Sequence, residues 1–184
     1  MDAARPISVN IYPMHSIAWW PSFVVLVTAT GIDLYARRVP NWLAVPYLLS
    51  GVLVQSTMGG LSGGGRSVAG VGLAVLLFGP PCFLRAMGMG DLKLAAGVGA
   101  WIGPSQFLFA FVVTAIVGGI MAVGYGLRRG SLGQCLDNTG ELVVDLARGR
   151  LQQHGDIRLG GAKARSIPYA PAIAIGTLFS FFAR

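Results

Sequence analysis

The chain reads as an all-α polytopic membrane protein with about six transmembrane helices, and three observations lead there. It is 54% hydrophobic and only 11% charged, whereas about a quarter of the residues in an average soluble domain are charged. Its apolar residues gather into six runs separated by breaks rich in glycine, proline or arginine. Its 14 Lys and Arg also divide very unevenly between alternate breaks, as they do in cytoplasmic loops of membrane proteins. At 184 residues the chain is the length of one domain and has room for about six short spans. We read 1–184 as a single membrane-embedded unit, with 128–165 as a cytoplasmic loop. The net charge of +7 then reflects topology, and no nucleic-acid partner is expected.

Met1 to His15 is a mixed lead-in. Ile17 to Ile32 is the first run, with Trp19 and Trp20 near its start, where an interfacial aromatic belt sits. Arg5 is its only upstream cation and no small-residue cleavage site follows, so it reads as a retained helix and not a signal peptide. The second run covers about Asn41 to Met58, with Pro40 placed as a first-turn proline. Gly59 to Arg66 has the composition of a flexible connector. Val68 to Leu84 follows, and Gly79-Pro80-Pro81 is expected to kink or end it. The fourth run, about Asp91 to Ile102, carries Gly97, Gly99 and Ala100 as a small-residue face for tight packing in lipid. Gly103-Pro104 breaks it. Gln106 to Leu127 is the longest run, Arg128 to Arg165 the one extended polar stretch, and Ile167 to Phe182 the last span.

With six spans, the first, third and fifth loops share a side and hold eleven cations: Arg37, Arg38, Arg85, Lys93 and seven between Arg128 and Arg165. Arg5, Arg66 and Arg184 lie opposite. The bias places both termini outside and those loops in the cytoplasm. Cys82 and Cys135 form no C-x-x-C pair, and His15 and His154 stand apart. Neither a metal site nor a disulfide framework is indicated, and no cofactor is expected.

The chemistry-bearing residues sit at that cytoplasmic boundary. Asp33 ends the first span going in, and Asp91, behind Gly88-Met89-Gly90, starts the fourth coming out. An ionisable residue within a span is costly and is by default a functional candidate, and two at the same depth point to a paired-carboxylate site. Each also has an ordinary reading, Asp33 as a partner of Arg37 and Asp91 as a helix N-cap. Gly88 and Gly90 fit close approach of a substrate beside Asp91. Lys93 either steadies a carboxylate or snorkels to the headgroups.

Asp33 followed by Arg37-Arg38-Val39-Pro40-Asn41, then Gly88-Met89-Gly90-Asp91-Leu92-Lys93-Leu94, resembles the type IV prepilin peptidases, membrane aspartic proteases of the G-x-G-D kind. Ile167-Pro168-Tyr169-Ala170-Pro171 is similar to that family's proline-bearing final helix, so Pro168 and Tyr169 join the candidates as site-shaping residues. The resemblance implies catalysis by Asp33 and Asp91, a prepilin with a basic leader as substrate, a bacterial inner-membrane location, and contact with pilus-assembly machinery. Long members carry a cysteine-bearing insertion associated with N-methylation. This chain lacks the cysteine cluster, which likens it to the compact form of tight-adherence (Flp-type) pili and argues against methyl transfer.

Two carboxylates sharing one proton can hydrolyse a peptide without a metal, the ionised one as base and the neutral one as acid. Helix dipoles predict Asp33, near a helix C-terminus, as the resting acid and Asp91, near an N-terminus, as the resting base. The alternative is a small proton-coupled transporter that uses the pair as a relay, although such a relay belongs nearer the midplane. In the polar loop, Asp137, Glu141 and Asp145 fall at i, i+4 and i+8 on one face of a helix. They are either a solvated surface or a guide for a basic leader.

Overall fold

A computed structural model describes residues 12–36, 38–83, 87–129 and 169–182. Arg37, Arg85, Cys135, His154, Pro168 and the acidic strip Asp137, Glu141 and Asp145 lie outside the described residues. The described chain is all-helical: α1 (Tyr12–Ala36), α2 (Asn41–Phe83), α3 (Met89–Arg129) and α4 (Ala170–Phe182). Two of these are each a pair of arms, so that six helical segments result.

α2 has 43 residues. Straight, it would run about 65 Å, more than twice the roughly 30 Å hydrocarbon core of a bilayer. It folds back at Gly60, whose φ of 58° and ψ of −147° leave the helical region for one that only glycine adopts cheaply. Three residues later Gly63 lies directly on the Gln55 carbonyl, and Gly64 against Ser56. Residues eight apart on a continuous helix are about 12 Å apart along the axis, so these contacts require a hairpin. The glycines expected to make a loose connector are therefore helical and closely packed, and one residue makes the turn. Pro80 and Pro81 fall within the last turn of the second arm, which ends at Phe83, close to where Gly79-Pro80-Pro81 is expected to end it. Pro40 stands just before the first turn of α2, where its carbonyl accepts the N–H groups of Leu43 and Ala44 at 3.2 Å.

α3 reverses in the same way at Gly103 (φ 75°, ψ 174°), with Pro104 next, at the break that Gly103-Pro104 predicts. Its first arm runs antiparallel to the second arm of α2: Ser67 donates to the Ala100 carbonyl at 2.9 Å, Gly70 rests on Gly99, and Cys82 meets Met89 at 3.0 Å. Its second arm turns back, so that Phe78 meets first Phe107 and then Phe111, with ring centroids 6.2 and 5.3 Å apart. α4 is antiparallel to that arm, with Tyr169 against Gly118 and Gly176 against Ala110 and Thr114.

The first arms of α2 and α3 run side by side. Gly51 and Gly97 admit Trp101 and Tyr47 respectively, whose rings stack at 6.0 Å and 14°. Their polar atoms are satisfied across helices: Tyr47 Oη–H donates to Ser22 Oγ at 2.7 Å, Trp101 Nε1–H to the Tyr47 carbonyl at 3.0 Å, and Gln55 Nε2–H to the Trp101 carbonyl at 2.6 Å. Small residues at the contacts and polar side chains bridging helices are how bundles hold together in lipid. The small-residue face of Gly97, Gly99 and Ala100 expected from sequence is buried in this packing.

The outside of the bundle is apolar. Val24, Leu53, Leu76, Ile116, Ile120 and Phe179 each expose more than half their surface, which water would penalise. α2 and α3 are long and apolar enough to cross a membrane.

Candidate active site

The hairpins bring helix ends together at one end of the bundle, among them the last turn of α1, both ends of α2, the start of α3 and the start of α4. Asp33 and Asp91 lie there, 3% and 7% exposed, and the Asp33 charge acts directly on Asp91. Two carboxyls 58 positions apart in sequence are thus brought together by helix packing.

Each carboxyl takes a main-chain donor from a helix start. Gly88 is the N-cap of α3, its carbonyl accepting the N–H groups of Asp91 and Leu92 at 3.1 and 3.4 Å. Asp91, three residues on, is hydrogen-bonded in return to the Gly88 backbone, in the manner of the acidic member of a capping box. The ordinary capping reading of Asp91 is realised, therefore, but in a buried carboxyl beside another. Asp33 sits in the last turn of α1 and accepts the Ala170 N–H, the first of α4, at 3.1 Å on Oδ2. The dipole bias expected from α1 alone is offset here, because Asp33 faces the positive end of α4 as well as the negative end of its own helix. Two helix N-termini converge on the pair, which suits a site that holds one net negative charge.

The glycines divide the work differently from the sequence expectation. Gly90 is closed off by the protein itself: a Cβ there would stand 2.7 Å from the Val39 carbonyl oxygen and 3.0 Å from Val39 Cβ. Its close approach on the Cβ side is to the α1–α2 link. Gly88 is exposed, and a Cβ there would meet Asp91 Oδ2 at 3.2 Å, so it is Gly88 that leaves a carboxylate open. Lys93 makes its bond at the surface, to a neutral side chain. Its ammonium donates to Asn41 Oδ1 at 2.8 Å, joining the first turns of α2 and α3. Tyr169 is half-buried immediately before α4, its ring against Gly118 of α3. Among the described residues no three His, Cys, Asp or Glu come together as metal ligands do.

Three contacts of this site have no signal in the sequence. The Ala170 donor is main chain, so its residue type says nothing. Val39, Asn41 and Lys93 stand in the quoted motifs, but nothing there pairs Val39 with Gly90, or Asn41 with Lys93 across 52 positions.

Residues 21–123, more than half of the chain, match the type IV leader peptidase family. That stretch holds Asp33, Gly88, Gly90, Asp91 and Lys93 but stops short of α4. The chain is 32% identical over 112 residues to the prepilin leader peptidase/N-methyltransferase of Aeromonas hydrophila, an alignment covering 57% of this chain and 38% of that protein. The protein of the same name from Aeromonas salmonicida strain A449 aligns with the same identity and coverage. The aligned part is thus well under half the length of these curated relatives. No solved structure matches. The apolar exterior and the two membrane-length helices make this a membrane protein, and with its buried carboxyl pair inside the matched residues the chain belongs to the type IV leader peptidase family.

Proposed function

We propose that the chain is a membrane aspartic endopeptidase that removes the short basic leader of Flp-like type IV prepilins at the cytoplasmic face of a bacterial inner membrane. The observation that carries this reading is the meeting of Asp33 and Asp91, buried at one end of the bundle, in a member of the leader peptidase family. The six helical segments serve as six crossings, with both termini outside, because the cation count puts the carboxyl end of the bundle on the cytoplasmic side. A proton relay is less well served by a pair gathered at one end than by one at mid-depth.

In the cycle, a water sits between the carboxyls and the scissile carbonyl. The ionised carboxylate takes a proton from the water as its oxygen attacks the carbonyl carbon, and the neutral partner donates to the carbonyl oxygen. The tetrahedral intermediate then collapses. Its gem-diol O–H returns a proton to one carboxylate while the other carboxyl protonates the departing amine, so the pair ends with one proton as it began. Gly88 leaves room on the outer side of Asp91 for the substrate backbone, and Lys93, Asn41 and Gly90 hold the start of α3 in place.

Purified protein incubated with a Flp-type prepilin should yield a product shortened by the leader. An unprocessed prepilin, together with proton flux in vesicles that depends on Asp33 and Asp91, would establish the transporter instead.

A further inference from the structure

We propose that the backbone N–H of Ala170 is a positioning donor that fixes the Asp33 carboxylate for proton transfer, so that α4 completes a site whose acids come from α1 and α3. This rests on the peptidase reading above. Ala170 is fully buried, and its N–H is directed at Asp33 Oδ2 at 3.1 Å. The donor belongs to a helix start that is itself well formed, since the Tyr169 carbonyl accepts the N–H groups of Ala172 and Ile173 at 3.0 and 3.2 Å. Ala170 is therefore the first helical residue, whose N–H has no partner within its helix.

Two packing contacts fix where that donor sits. Gly118 on the second arm of α3 receives the Tyr169 ring, which a Cβ would approach to 3.0 Å, and Gly176 lies against Ala110 and Thr114 of the same arm. α4 is thus anchored to α3, the helix that also carries Asp91. The consequence is geometric: the bond ties Asp33 on α1 to the body that holds Asp91, and sets the two carboxyls relative to each other. α1 packs against α4 more than against α2 or α3, so this bond lies in the interface that sets α1 against that body.

The test removes one hydrogen. Ala170→Pro deletes the N–H at the position where helices accept proline best. Replacing Ala170 by its α-hydroxy analogue turns the amide into an ester and deletes the same donor without the ring. Ala170→Gly keeps the donor and serves as the conservative variant. Cleavage of a Flp-type prepilin is followed in detergent for each.

Loss of a hydrogen bond to a charged group predicts that kcat falls roughly ten- to a hundredfold in the ester variant. KM should stay near that of the parent, and Ala170→Gly should restore kcat. An ester variant that cleaves with the parent's kcat, or one that loses KM and kcat together with no rescue by Ala170→Gly, overturns the positioning role while leaving the peptidase reading intact. Absence of cleavage by the parent chain itself overturns both.

Discussion

Gly90 lies against Val39 so closely that a methyl group in place of its hydrogen would stand 2.7 Å from the Val39 carbonyl oxygen. This contact joins the start of α3 to the α1–α2 link and fixes the residue immediately before Asp91.

Gly90→Ala and Gly88→Ala should therefore fail differently. The first must displace backbone, and overpacking of this kind costs about 1–3 kcal/mol. It should lower the thermal unfolding midpoint and reduce cleavage together. The second places its methyl 3.2 Å from Asp91 Oδ2 without displacing backbone, and as a poorer N-cap costs only about 1 kcal/mol, so it should reduce cleavage with the smaller loss of stability. Equal stability of the two variants would contradict this division.

Asp33→Asn and Asp91→Asn should each abolish leader removal, by a thousandfold or more on the order of what loss of an essential proton carrier costs. Both should remain folded. An Asn amide oxygen at 33 still accepts the Ala170 N–H, and one at 91 still accepts from Gly88. Unfolding monitored by far-ultraviolet circular dichroism separates the two effects, and a cleaving Asn variant at either position would exclude that residue from the mechanism.

The contact between Gly70 and Gly99 allows the second arm of α2 to cross the first arm of α3 backbone to backbone. Gly70→Ala or Gly99→Ala should prevent assembly and yield aggregated or degraded protein. Gly72, two residues away with nothing within 4 Å, is the control: Gly72→Ala should be tolerated and gain up to about 1 kcal/mol from helix propensity. Comparing monodisperse yields in size-exclusion chromatography reads both.

Lys93→Met and Asn41→Ala should each weaken the tie between the starts of α2 and α3. The bond is at the surface, so the coupling between the two in a double-mutant cycle should be only about 0.5–1 kcal/mol. Additive losses in thermal stability would show that the two side chains act independently.

The helical class and most segment boundaries were legible in the sequence, because a chain short of charge must bury its backbone in helices wherever it meets lipid. The two carboxylates were also legible, since few other acids stand at the edge of an apolar run. Composition misled at Gly59 to Arg66, where the glycines that look like a loose linker are small because Gln55 and Ser56 lie against two of them. Residue type also does not reveal that Gly90 makes room for Val39 or that Lys93 binds Asn41.

What the sequence by itself determined was which residue types stand at which depth, a one-dimensional property that hydropathy and charge record directly. What only the tertiary structure decided was which of them touch. The reversals at Gly60 and Gly103 set the direction of every later segment, and those directions bring the start of α4 to Asp33 across 137 positions. A main-chain donor carries no mark of its partner in its residue type, so the bond between Ala170 and Asp33 exists only once the helices are packed.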